Sequence, residues 1–301
     1  MGTAALRGRT VLVTGGAGFI GSHLVEALAA DCEVRVVDDL SRGRREYLHP
    51  DATFIEGSLC DGDTLARAMG GVDVVFHLAA SGAADTPADG PCALDRATLD
   101  LFERAREEDA RVVVASSTAV YGDPEALPVC EEAPLSPLSA YGAEKCAVDC
   151  AARRYYERYG LETVVLRYFN VYGPRQACAE YSSVITTFLE QACAGQPLTV
   201  AGDGSQVRDF VHVSDVVAAT LLAATTDAVG EAFNVGTGRS TTLLDLARLV
   251  CDLTGAPGDL LSVSDGTDDV TASRADISKA RDRLGYAPTV GLTAGLTDLV
   301  A

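Results

Sequence analysis

The run Thr10-Val11-Leu12-Val13-Thr14-Gly15-Gly16-Ala17-Gly18-Phe19-Ile20-Gly21 constrains the fold more than any other stretch. Its first five residues read as a short buried strand. Glycines at 15, 18 and 21 follow, and residues 22–30 have helical character. A strand that turns through glycines straight into a helix opens a dinucleotide-binding βαβ unit. Gly15 and Gly18 let the backbone turn tightly and approach a pyrophosphate, while Gly21 lets helix and strand pack closely. The helix start then offers free N–H groups and a positive dipole end to the phosphates.

The second strand, at 33–37, ends in Asp38-Asp39. A carboxylate about 20 positions past the glycines accepts hydrogen bonds from the adenosine ribose hydroxyls. It also repels a 2′-phosphate, so Asp38 favours NAD over NADP. A third strand at 54–57 exits into Ser58-Leu59, and a fourth at 72–78 into Leu78-Ala79-Ala80, whose small residues let a cofactor near the backbone. Residues 81–91 read as a loop, 93–108 as an amphipathic helix and 111–115 as a fifth strand. A helix at 146–159 and a sixth strand ending at 166 follow. Such alternation predicts an α/β fold built on a Rossmann-type doubly wound parallel sheet.

After residue 170 the alternation stops. Helices at 182–194, 215–225, 243–254 and 277–284 and short strands at 197–200 and 233–236 predict a smaller C-terminal α/β domain. The expected division is a dinucleotide-binding domain at 1–169 and a substrate-binding domain at 170–301, with 209–236 packing back on the first. The stretch before Ala301 leaves little room for a final helix.

Two further motifs carry chemistry. Tyr141 and Lys145 open the helix at spacing i, i+4, which puts them on one face. They are either a half-buried tyrosine with a solvated lysine, or an acid–base pair. An ammonium beside a phenol favours the phenolate, and bringing a pKa of about 10 near working pH takes about 4 kcal/mol of differential interaction. The fifth strand runs into Ser116-Ser117-Thr118, hydroxyls at the strand edge where open α/β sheets bind ligands. Composition narrows the class. A formal net charge of −19 argues against nucleic acid. No run of 18 apolar residues exists, and residues 1–9 lack a signal-peptide core, so a cytoplasmic protein without a membrane span is expected. Nine cysteines without a C-x-x-C pair read as reduced, buried thiols and not as a metal site.

Together with Val37-Asp38-Asp39-Leu40-Ser41, His77-Leu78-Ala79-Ala80, Leu166 to Pro174, Gly202 to Val213 and Ala275 to Ala280, these motifs resemble the extended short-chain dehydrogenase/reductases of the NAD-dependent epimerase/dehydratase type. The likeness is nearest to UDP-glucose 4-epimerase-like nucleotide-sugar enzymes and covers nearly the whole chain. It implies a catalytic triad of Ser117, Tyr141 and Lys145. It implies NAD held by Gly15, Gly18, Phe19, Ile20, Gly21, Asp38, Asp39, Leu40 and Ser41, with Ser58, Leu59, Leu78, Ala79, Ala80, Ser116, Tyr141, Lys145 and Phe169 lining the cofactor. Ser117, Thr118, Asn170 and Arg208 would touch a nucleotide-sugar substrate, a UDP-sugar first, and the chain would form a homodimer through the Tyr-bearing helix and the helix before it. The implied reaction is inversion at C4 through a transient 4-keto sugar. A 4-ketoreductase, a decarboxylase or a dehydratase on the same fold are the alternatives. Dehydrating relatives carry Asp-Glu where this chain has Thr118-Ala119, which counts against that branch. Ser58 replaces a usual Asp, and Arg274 stands out of register with a second phosphate-binding arginine. The loop at 81–93 and the turn at 266–269 are expected to decide the sugar.

Overall fold

The computed structural model describes residues 3–80, 92–176, 183–263 and 270–300. The first half alternates strand and helix: β1 (Thr10–Thr14), α1 (Phe19–Leu28), β2 (Glu33–Asp38), β3 (Thr53–Glu56), α2 (Gly62–Met69), β4 (Val74–His77), α3 (Cys92–Glu107), β5 (Arg111–Ser117), α4 (Ala140–Tyr159) and β6 (Thr163–Tyr168). The remainder comprises β7 (Asn170–Tyr172), α5 (Val184–Cys193), β8 (Leu198–Ala201), β9 (Val207–Arg208), β10 (Phe210–His212), α6 (Val213–Ala223), β11 (Glu231–Val235), β12 (Thr241–Thr242), α7 (Leu243–Thr254), β13 (Leu260–Val263), α8 (Ser278–Leu284) and α9 (Leu292–Val300).

Seven strands form one parallel sheet in the order β3-β2-β1-β4-β5-β6-β11. Strand alternation sends successive side chains to opposite faces. Val11 and Val13 thus join a core with Leu24 and Leu28 of α1 and Val216 of α6, while Leu12 joins one with Leu65 of α2 and Leu101 and Phe102 of α3. Burial on both faces explains why these strands are almost wholly apolar. From β1 the chain runs to β2 on one side, and from β3 it crosses to β4 on the other. The carboxyl ends of β1 and β4 therefore bound the crevice where doubly wound sheets bind ligands.

A third core joins α5, α7 and α9 through Ile185, Phe188, Leu246, Val250 and Leu296. It is tied to the large sheet by the pairing of β10 with β7 and by β11, which lies beside β6. Two expectations are corrected here. A final helix does form, α9, with Leu296 fully buried. Gly295 permits it, because a Cβ there would sit 2.3 Å from Tyr172 Oη. The described cysteines are also less buried than expected: Cys251 is buried, but Cys60, Cys150 and Cys193 are exposed, since they fall on the solvent side of their turns and helices. No helix among the described residues is long and apolar enough to cross a membrane. The loop at 81–91 and the turn at 266–269 lie outside the described residues.

Candidate active site

The glycine turn is held by its own backbone. Gly18 N–H donates to Gly15 O (3.1 Å), and Gly15 N–H donates to Val37 O (2.8 Å). Gly15 has φ +70°, and a Cβ on it would meet Ala79 N at 2.9 Å. The turns after β1 and β4 thus touch across the crevice, bringing Leu78 and Ala79 beside the glycines. A Cβ on Gly21 would lie 2.2 Å from Gly15 O, so only glycine lets α1 start this close. Phe19, Ile20 and Gly21 form the first turn of α1, whose N–H groups have no acceptor within the helix. This is a concave backbone surface that offers donors to a diphosphate.

At the end of β2, Asp38 accepts hydrogen bonds from Ala17 N–H (3.0 Å) and Leu40 N–H (2.9 Å). Burial pushes its carboxyl up, the two N–H groups pull it back, and Asp39 adds to the rise. Two bonds leave about half of a carboxylate's lone-pair positions for ribose hydroxyls. Asp39 is exposed and accepts from Ser41 N–H at 3.0 Å. Gly57 N–H donates to Asp38 O (3.1 Å), which places Ser58 and buried Leu59 beside the same rim. The Ser58 hydroxyl accepts from Cys60 N–H at 3.2 Å.

On the other side of the crevice, Ser139 caps α4 by accepting from Gly142 N–H (3.0 Å). Gly142 matters because a Cβ there would meet Ala119 O at 2.7 Å. The first turn of α4, with Tyr141, can therefore press against the turn that follows Ser117. Lys145 is 4 % exposed. Its Nζ donates to Ala115 O (3.2 Å) and lies 5.9 Å from the Tyr141 ring centroid. Burial holds its ammonium below the ordinary lysine range, with Glu144 opposing. Of its three N–H donors, one is engaged among the described residues, so two suit a ribose diol. The Ser117 hydroxyl ends β5 and accepts from Ala119 N–H at 3.2 Å. Ser116 points the other way, its hydroxyl donating to Asp149 Oδ2 (3.4 Å).

His77, fully buried under the crevice, contacts Thr14 Oγ1 (2.9 Å) and Thr98 Oγ1 (3.0 Å). Burial, then Lys145, drives its pKa down to about 3, so the ring is neutral. Ala79 N–H also donates to Thr14 Oγ1 (3.2 Å), so the Thr14 hydroxyl links the His77 ring to the turn that follows β4.

The expected substrate residues converge from distant segments. Thr118 Oγ1 lies 3.2 Å from Ser273 Oγ, and Ser273 N–H donates to Val207 O (2.9 Å), next to Arg208. Asn170 donates through its backbone N–H and its side chain to Asp209 O (3.0 and 3.3 Å). Phe169, buried, donates its N–H to Val235 O and packs with Val120 and Tyr121. The clamp behind them is Asp209, which has no marker in the sequence beyond an acidic residue between Arg208 and Phe210. Its carboxylate accepts from Thr237 N–H (2.8 Å), Thr237 Oγ1 (2.6 Å), Gly238 N–H (2.9 Å) and Ala275 N–H (3.1 Å). Beside it, Arg274 has a buried Nε with no hydrogen-bond partner among the described residues.

The glycine cradle, the half-free Asp38 carboxylate and the donors of Lys145 fit an NAD cofactor. Comparison with known proteins agrees. A UDP-glucose 4-epimerase of Mycolicibacterium smegmatis is 38% identical over 303 residues, 96% of this chain and 96% of that protein. The crystal structure of UDP-glucose 4-epimerase from Thermotoga maritima with UDP-glucose has a TM-score of 0.91 and 36% identity, covering 97% of each chain. That of the Thermus thermophilus UDP-glucose 4-epimerase complex with NAD has a TM-score of 0.86 and 34% identity, covering 96% of each. Residues 11–236 match the NAD dependent epimerase/dehydratase family, and the chain belongs to that family.

Proposed function

We propose that the chain is an NAD-dependent epimerase of a nucleotide-activated sugar, a UDP-sugar first, inverting C4 through a transient 4-keto intermediate. One observation carries this reading. Helix α4 brings Tyr141 and Lys145 to the end of β5 at Ser117, while the next residues, Thr118 and Ala119, carry no acid or base. A dehydratase needs a second proton-transfer group at that point.

Tyr141 takes the proton of the C4 hydroxyl and later returns it. Lys145 favours the phenolate by its charge and holds the nicotinamide ribose. Ser117 hydrogen-bonds the reacting oxygen. Gly15, Gly18, Phe19, Ile20 and Gly21 receive the pyrophosphate, and Asp38 receives the adenosine ribose. NAD, when bound, supplies the hydride acceptor and donor, so the net redox change is zero. Asn170 and Arg208 hold the substrate diphosphate, since a guanidinium fork matches phosphate oxygens. The buried Nε of Arg274, without a hydrogen-bond partner among the described residues, supports assigning that residue to the same diphosphate.

We place the chain in the cytoplasm as a homodimer. The cysteines among the described residues are free, which suits a reducing compartment. Leu99 on α3 and Tyr156 and Tyr159 on α4 are exposed apolar groups that a partner's α3 and α4 would cover. Sedimentation at two protein concentrations tests the dimer.

The function is tested by incubating pure protein with UDP-glucose, UDP-GlcNAc, UDP-glucuronate and dTDP- or CDP-sugars and following C4 configuration by NMR. Exchange without net change at the reduced-nicotinamide absorbance band is expected. Stoichiometric nicotinamide reduction or oxidation would mean a ketoreductase, and no exchange on any sugar would defeat the epimerase reading.

A further inference from the structure

Asp149 lies one turn beyond Lys145 and two beyond Tyr141, so positions 141, 145 and 149 descend one side of α4, the side that meets β5. Asp149 is 0 % exposed, and its carboxylate holds Arg167 of β6, itself 1 % exposed, through Nε (2.8 Å) and Nη2 (3.2 Å). Arg167 Nη1 also donates to Tyr121 Oη (2.8 Å) and Glu131 O (2.9 Å), and Tyr121 Oη donates to Asn234 Oδ1 of β11 (2.7 Å). Arg153 donates to Asp149 Oδ1 (2.9 Å) from the half-exposed side of the helix. Burial opposes the Arg167 charge, yet its bonds and attraction to Asp149 carry its pKa above the ordinary range, while burial pushes the Tyr121 phenol up to about 12. Desolvating two charges offsets much of their attraction, so such a pair adds little stability over apolar packing.

We infer that the Asp149–Arg167 pair is a positioning device for the reaction, fixing α4 against the ends of β5 and β6 and balancing the charge behind Lys145. This rests on the acid–base assignment of Tyr141 and Lys145 made above. The charged and titratable groups around the site are neutral His77 from β4, Glu144, Cys146, Cys150 and Arg153 on α4, Arg167 from β6, and Tyr121 and Glu131 from the segment after β5. Because Asp149 and Arg167 cancel at a distance, Tyr141 responds chiefly to Lys145.

The test is the acidic limb of the pH–rate profile of C4 exchange, measured on NAD-loaded protein at low salt. Arg167→Met removes the buried positive charge and leaves Asp149 paired only with half-exposed Arg153, which disfavours the phenolate and moves the limb up by about half to one pH unit. Asp149→Asn leaves an unbalanced guanidinium and moves it down by a similar amount. The double variant D149N/R167M and the conservative Asp149→Glu hold the parent position. Arg153→Met, a half-exposed site that preserves the fold, gives a smaller upward movement. A purely structural pair would lower stability in the single variants without opposite displacements. Limbs that stay put in the folded variants, or move the same way in both single variants, overturn the inference. Where the single variants do not fold, an unmoved Arg153→Met limb or a displaced double-variant limb does so. Tyr141→Phe that still exchanges C4 would instead overturn the acid–base assignment, so the two failures are distinct.

Discussion

Gly15→Ala isolates what the crevice demands of its first glycine. Two effects act there. At φ +70° an alanine is in the left-handed region, which costs about 1–2 kcal/mol. Its Cβ would also sit 2.9 Å from Ala79 N and 3.0 Å from Ala79 Cα, backbone atoms that no rotamer change can move. Overpacking of that kind costs about 1–3 kcal/mol. The sum, about 2–5 kcal/mol, corresponds to a fall of roughly 3–8 °C in Tm for a chain of 301 residues. Two controls separate the effects. Gly255 has the same φ of +70° with nothing within 4 Å, so Gly255→Ala reports strain alone. Gly70 has φ −54° and open space, so Gly70→Ala should be silent. Thermal melts of all three, with and without saturating NAD, are needed because a lost ligand also lowers Tm. The expected order is Gly70→Ala, Gly255→Ala, Gly15→Ala, with NAD lost from the last on desalting. If Gly15→Ala melts together with Gly255→Ala and keeps NAD, the contact across β1 and β4 is not a constraint and the reasoning fails.

Other perturbations test the remaining parts. Tyr141→Phe should lower C4 exchange by about 100-fold or more while NAD, quantified after denaturation, stays bound. Lys145→Met should lower exchange and NAD retention together, since the same ammonium is assigned both tasks. His77 is neutral in the fold with a pKa of about 3, against 6.5 when unfolded, so unfolding takes up a proton below about pH 6.5. Its contribution is fully present above pH 6.5 and falls by about 1.4 kcal/mol per pH unit towards 3; His77→Gln should flatten that part of a urea-denaturation series. Asp209→Ala strands three backbone N–H groups and the Thr237 hydroxyl, and should destabilise by about 3–6 kcal/mol in urea while raising the KM for the nucleotide sugar through Arg208.

Much of the site is legible in the sequence because its parts are contiguous. Thr10 to Gly21 encodes strand, turn and helix within one stretch, and Tyr141 and Lys145 need only the helix between them to share a face. The Ser117 hydroxyl follows from the end of an apolar strand. Contacts between distant residues are not legible. Thr118 and Ser273 meet across 155 positions, and Tyr121 and Asn234 across 113. Neither pair has a local pattern, since an isolated serine or asparagine reads the same in a loop or a buried network. Arg167 sits inside an apolar run, and its pairing with Asp149, together with its bonds to Tyr121 Oη and Glu131 O, makes that position tolerable. Helix α9 is unexpected from the sequence because its stability comes from seating Gly295 on Tyr172, a tertiary contact and not a strong local signal.

By itself, then, the sequence determined the parallel dinucleotide-binding half, the place of Asp38 at the end of β2, and the shared face of Tyr141 and Lys145 on α4. These follow from periodicity, glycine geometry and fixed helical spacing, all short-range properties of the chain. Tertiary structure alone decided that β11 enters beside β6, that Asp209 clamps residues 237, 238 and 275, and that the strand carrying Arg208 lies against the segment carrying Arg274. Those outcomes depend on which surfaces bury each other and which buried polar groups find partners, and that is settled only when the whole chain packs.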